Sequence, residues 1–267
     1  ITMMDPAYDD DSRQAFGYYG AQALKARVGT YFGRSADVVD ACESVINSDE
    51  FEIAAPGDFA ASFKNDAAVN SIFELAFSSV DNANINGLQQ IYRGAAYGDV
   101  GGLQNLLDIF EVGDVRAAPE MIGPDPDEDL DPGERPVTNL GKYPSLDYSD
   151  NVPILRYEEV ILNYAEALWR IDNADPDALT YLNMVPAQRN ASAYVTIDED
   201  NILLERRKEL CFEGLRFHDL ARTHRAIPLV DDLQTHHGPA WGSYNFAFPI
   251  PISELDANPN MKQNVGY

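Results

Sequence analysis

Two groups of residues have the types and spacing to do chemistry. The first is ERRKELCFEGLRFHDL, residues 205–220, where Glu205, Glu209, Glu213 and Asp219 lie among Arg206, Arg207, Arg216 and His218. Hydrolysis of a glycosidic bond needs two carboxylates flanking it, one of them held protonated by its surroundings. In a chain with 44 acidic residues, a plausible pair of carboxylates arises without any function behind it. The simpler reading is structural: opposite charges at helical spacing neutralise one another and tie a helix to the turn that follows. The second group lies in the stretch 81–102, where Tyr92, Arg93 and Tyr97 stand with Asn84 and Gln90. A pyranose has an apolar CH face and a polar rim, so an aromatic platform beside amide and guanidinium groups is enough to hold it. Those five residues are the candidate carbohydrate contacts. The same tyrosines equally suit a plainer role, covering the underside of their own loop. Trp241 and Tyr244 form a second aromatic pair, for which the neighbouring YNFAFPIP (244–251) points to core packing.

Other chemistries find little support. There is no GxSxG elbow and no phosphate-cradling Gly loop opening a helix, and no catalytic residue is assigned. His218 and His224 lack a His or Cys at zinc spacing, and His236 and His237 read as a loop pair. The run GPDPDEDLDPGERP (123–136) offers carboxylates to calcium but lacks the ligand order of an EF-hand, so it reads as a solvated loop. No metal or cofactor is predicted. Cys42 and Cys211 are too few for a disulfide framework and read as small apolar residues on helices. The net charge of −25 repels phosphate backbones and anionic lipid head groups, which argues against nucleic acid as a partner, and it would suit a salt-rich habitat. No run of about 18 apolar residues is present to span a bilayer as a helix, and residues 1–11 read as an acidic loop entered from the middle of a longer chain.

The elements that must position these residues are mostly helical. Phe16, Gly20, Ala23, Leu24, Val28 and Tyr31 predict a helix over 13–32, stopped by Gly33. Ser35 then caps a second helix over 36–47, and the small residues Gly29 and Ala41 let the two approach as a tetratricopeptide-type hairpin. A short helical piece is predicted near 58–63, a strand over 71–79, a long exposed loop over 81–102, and a short helix over 103–110. Residues 119–148 read as turns outside the core.

The strongest helical signal runs over 154–171, where Tyr157, Ile161, Tyr164 and Leu168 form a packing stripe. Glu159, Asn163, Glu166 and Arg170 form an opposite, wet one. Asp175 and Pro176 start the helix that completes a second hairpin. Because a long insertion separates the two hairpins, a simple tandem solenoid is excluded. Further helices are predicted over 199–212 and 216–223, an extended segment over 244–251, and a last turn through Leu255 capped by Ser253.

Three blocks carry a family resemblance. LRYEEVILNYAEAL (155–168), ERRKELCFEGLRFHDLART (205–223) and FPIPISELDANPNMKQNVGY (248–267) resemble the signature blocks of the SusD/RagB family, in the same order. ALKARVGTYFG (23–33), SIFELAFS (71–78) and LLDIFEVGDVR (106–116) are similar to its preceding segments. The resemblance implies a mainly α fold with little β, in which tetratricopeptide-like hairpins cradle a loop-rich ligand-binding half. Residues 1–267 would then be one domain, the C-terminal portion of the family fold. It also implies a non-enzymatic, lipid-anchored protein on the outer membrane surface, the anchor lying outside this sequence. Such a protein captures oligosaccharides or related nutrients and lies over a SusC-like TonB-dependent transporter. A binding aromatic is implied near residues 92–97, and the 205–223 block is implied to be structural. Two departures stand out: Pro186 lies where the family continues a helix, predicting an end or kink at Val185, and the family's N-terminal portion has no counterpart. The rival functions are a helical-repeat scaffold that binds protein and no sugar, and an accessory domain of a glycoside hydrolase.

Overall fold

Helix α1 (Tyr18–Tyr31) starts later than its apolar spacing predicts. Arg13 has a left-handed backbone and its carbonyl accepts a bond from Glu74 N–H, while Phe16 packs edge-on against Phe73 at 5.2 Å, so this stretch is tied to a strand instead. The computed structural model describes residues 1, 3–8, 11–92, 100–124, 137–232, 234 and 238–267, apart from the side chains of residues 8 and 89. Helix α2 (Ser35–Ile46) follows, with Arg34 in the cap position and Ser35 already helical. At the seam, a Cβ on Gly29 would come within 2.7 Å of Val38 Cγ2, so only glycine allows this approach. Ala26, Ala41 and Cys42 are fully buried beside it.

A single helical turn, Ala61–Phe63, lies within the predicted 58–63 piece. Strand β1 (Ser71–Leu75) pairs antiparallel with a strand much later in the chain, across a bulged register. Helix α3 (Leu88–Tyr92), preceded by a turn at Asn84–Asn86, corrects the prediction of unbroken loop over 81–102. Helix α4 (Gln104–Leu107) is shorter than predicted. The reading of 119–148 as outside the core is also corrected at both ends. Strands β2 (Ile122–Gly123) and β3 (Thr138–Asn139) pair there, and Ile122 and Val137 join Leu106 in a buried cluster. The acidic run between them, with its candidate calcium carboxylates, lies outside the described residues.

Strand β4 (Val152–Arg156) is the partner of β1 and takes residues 154–156 away from the predicted helix. Pro153 forces Val152 toward extended backbone, and the ladder to β1 holds the following residues extended. Helix α5 (Tyr157–Ile171) begins directly after it. Helix α6 (Pro176–Ala187) starts as predicted, Asp175 Oδ1 accepting from Asp177 N–H at 2.9 Å. It runs on through Pro186, which falls in the last turn where a missing N–H removes a single bond. Helix α7 (Glu199–Glu209) is capped by Asp198 and ends before the predicted Phe212. The chain instead turns at Phe212 and Gly214, both with positive φ, and Cys211 sits in that turn and not on a helix.

The two hairpins, far apart in sequence, pack on each other: α1 on α2, α2 on α5, α5 on α6. The insertion excludes a tandem repeat in sequence, yet the stacking is that of one. The prediction of a wet stripe on α5 is overturned for three of its four residues: Glu159, Asn163 and Glu166 are buried, and Arg170 alone is exposed.

The chain divides into two units, Ile1–Gly214 and Leu215–Tyr267. The second holds α8 (Arg216–Arg222), a turn at Tyr244–Phe246 and α9 (Ile252–Ala257). The predicted extended segment over 244–251 forms no strand, and Pro251, not Ser253, caps α9. Gly266, at φ +103°, lies where a Cβ would come within 2.5 Å of the Tyr244 ring. It lets Tyr267 close edge-on against Tyr244 and donate its hydroxyl to Ala247 O at 3.0 Å. Trp241 and Tyr244 are 49% and 51% exposed, so the prediction that they pack in the core is corrected. Trp241 instead stacks on His224 at 3.8 Å and donates to Ala221 O.

Candidate functional site

The base of the site is a buried network of charges. Glu209 accepts from Arg189 Nε at 2.9 Å and from Arg156 Nη1 at 3.2 Å, while Glu158 accepts from Arg189 Nη2 at 2.7 Å and Arg156 Nη1 at 2.9 Å. Arg116 is held by both oxygens of Asp114 and donates to Glu205 at 2.6 Å. Glu213 takes Arg156 on both oxygens and Lys142 Nζ at 2.6 Å. Phe59 and Phe63 lie against the cations, the Arg189 guanidinium 4.3 Å from the Phe59 centroid. Burial opposes the charge on Glu209, but the guanidiniums of Arg189, Arg156 and Arg116 outweigh it and hold the carboxyl well below the usual range. Burial likewise opposes Glu213, which Arg156 and Lys142 hold low. Of the 205–220 carboxylates, only Asp219 finds its partner within its own helix, Arg222. The partners of Glu205, Glu209 and Glu213 come from other elements, which corrects the prediction of local neutralisation and leaves these carboxylates fully engaged.

This network fixes the turn on which the candidate contacts rest. Lys142 Nζ donates to Glu209 O at 2.8 Å and Cys211 O at 2.9 Å, so the backbone around Phe212 is held from beneath. Tyr92, at the end of α3, donates its hydroxyl to Phe212 O at 3.0 Å and sets its ring edge-on to Phe212 at 5.2 Å. It is half-buried, and burial, with Cys211 and Glu213 nearby, raises its phenol above the ordinary value. Gln90 is buried, and its Oε1 has no hydrogen-bond partner among the described residues. Asn84 is exposed, with a positive φ, and its N–H donates to Asn82 Oδ1 at 2.8 Å. Arg93 and Tyr97 lie outside the described residues. The segment therefore presents one exposed amide, one orphaned buried acceptor and one anchored phenol within nine residues of chain. Phe212, 120 residues from Tyr92, had no local signal that could pair the two.

Among the described residues no helix is long and apolar enough to cross a membrane, and no cluster of His, Cys, Asp and Glu side chains is arranged to hold a metal. A sequence profile of the SusD family matches residues 137–267. A crystal structure of a SusD superfamily protein from Bacteroides thetaiotaomicron superposes with a TM-score of 0.85 at 26% identity, over 96% of this chain and 62% of that one. Residues 137–267 belong to the SusD/RagB family. The starch-binding protein SusD of B. thetaiotaomicron is 31% identical over 138 residues, 50% of this chain and 24% of that protein. A SusD-like protein of Formosa agariphila is 32% identical over 139 residues, 46% of this chain and 26% of that one. The chain spans less than two thirds of these SusD proteins' own length. SusD family members are carbohydrate-binding proteins and not enzymes. Asn84, Gln90 and Tyr92 precede the matched SusD stretch.

Proposed function

We propose that this chain is part of a non-enzymatic, surface-exposed glycan-binding protein that delivers oligosaccharides to a SusC-like TonB-dependent transporter in the outer membrane. Its attachment to that membrane is through a lipid anchor outside this sequence, and residues 1–267 serve as one SusD/RagB-like domain. The observation that carries the reading is the similarity to the starch-binding protein SusD. Support from the molecule is more local. The α3 segment sets an aromatic near amides in sequence on a buried charged base, and a buried Gln90 Oε1 with no donor among the described residues suits a ligand hydroxyl. Asn84, Gln90, Tyr92, Arg93 and Tyr97 are the proposed contacts.

Calorimetry with a panel of neutral oligosaccharides tests this. Saturable heat is expected from at least one of them, and Tyr92→Ala with Tyr97→Ala should weaken it about tenfold. Unchanged affinity in that double variant would remove the platform from these residues. The second reading, a helical-repeat scaffold, is favoured by the exposure of Leu24, Val28 and Tyr31 on one face of α1. A scaffold would give no heat with any sugar.

A further inference from the structure

A separate cleft opens in the first unit where the end of α5 meets the turn between α1 and α2. It has a volume of about 530 Å³ and is lined by Ser35, Trp169, Arg170, Asp172 and Asn173, with Gly33 at its edge. That is within the range of small-ligand sites, about 300–1,000 Å³. Its one cation is already matched: Arg170 donates to Glu166 Oε1 at 2.8 Å and Glu199 Oε1 at 3.1 Å, and its guanidinium lies 5.5 Å from the Trp169 ring. An anionic ligand would gain little there, and a neutral one keeps every pair intact. The Trp169 indole N–H, the Ser35 hydroxyl and the Asn173 amide make no hydrogen bonds to the described residues, so donors and acceptors remain around an aromatic surface. A small chamber of about 10 Å³, which shares Gly33, Ser35 and Arg170 with the cleft, holds Thr30. The buried Oγ1 of Thr30 has no hydrogen-bond partner among the described residues.

We infer that this cleft is a second saccharide site, taking a neutral sugar unit beside Trp169, with Ser35, Asn173 and Asp172 meeting its hydroxyls. It shares a ligand class with the α3 site but no residue. The two tryptophans of the sequence make the test direct. Trp241→Phe leaves Trp169 as the sole indole, and its emission can be followed during titration with maltohexaose, xylohexaose and mannohexaose. A saturable blue shift at millimolar sugar is expected for at least one of them, weakened about fivefold by Asn173→Ala. The shift should persist in Tyr92→Ala, with thermal unfolding followed for each variant to show that it is folded. Silence of Trp169 toward all three sugars overturns the inference, as does a shift abolished by Tyr92→Ala, which would report the α3 site instead. Calorimetric binding lost in Tyr92→Ala with Trp169 silent leaves the α3 reading standing alone. A Trp169 shift beside heats indifferent to Tyr92 and Tyr97 does the reverse.

Discussion

The two sides of α5 are held by opposite means. On the α2 side the contact is mostly dry and shaped: Cys42 and Val160 meet, Tyr164 donates its hydroxyl to Glu43, and the neighbouring α1–α2 seam depends on small residues, Ala26, Gly29 and Ala41. At its N-terminal end and toward α7, α5 is held by charge: Glu158 to Arg156 and Arg189, and Asn163 to Arg206. Arg27 crosses between the two regimes, reaching from α1 to both oxygens of Glu159. The hairpin seam tolerates loss of a contact in proportion to the atoms removed. The charged region does not, because a buried ion left without its partner keeps its desolvation cost.

The largest effect should come from Arg189→Ala, which takes one cation from each of the buried carboxylates Glu158 and Glu209 and leaves them to Arg156. A loss of about 3–5 kcal/mol in denaturant unfolding is expected, and a loss below about 1 kcal/mol would show that the network relaxes and the contrast with the seam is false. Acid should separate the regions next. Glu209 and Glu213 have folded-state pKa values below their unfolded value of about 4.3. Their stabilisation is thus full above that pH and disappears as pH falls through the lower folded values. Glu205, raised by burial, runs the other way and blunts part of this. The denaturant midpoint should fall below about pH 4 in the natural chain, and fall less steeply in Glu209→Gln. On the seam, Gly29→Ala should cost about 1–3 kcal/mol through its clash with Val38, and Val38→Ala in the same chain should recover part of it. Absence of that coupling would mean the approach of α1 to α2 is not set there. Asp175→Ala, at a helix start remote from both, should cost about 1 kcal/mol by thermal unfolding, the smallest of the set.

How much of the candidate site was legible follows the same division. The composition of 81–102 drew attention to Asn84, Gln90 and Tyr92, but five residues with no strong periodicity hid α3, and nothing local revealed that Gln90 is buried or that Tyr92 is anchored on Phe212. Arg170 stands four residues after Glu166, and that pair formed, but nothing in the spacing showed the cleft beside Trp169.

By itself the sequence determined the helices, the Asp175–Pro176 start, the close approach at Gly29 and the ordered blocks that carry the family. Each of these is written in residues within a few turns of one another. Only the tertiary structure decided which face of α5 meets water. Glu159 looks solvated by periodicity, yet Arg27 comes to it from 132 residues away. Whether a carboxylate is wet or buried depends on the cation the fold brings to it, and chain periodicity carries no record of that distance.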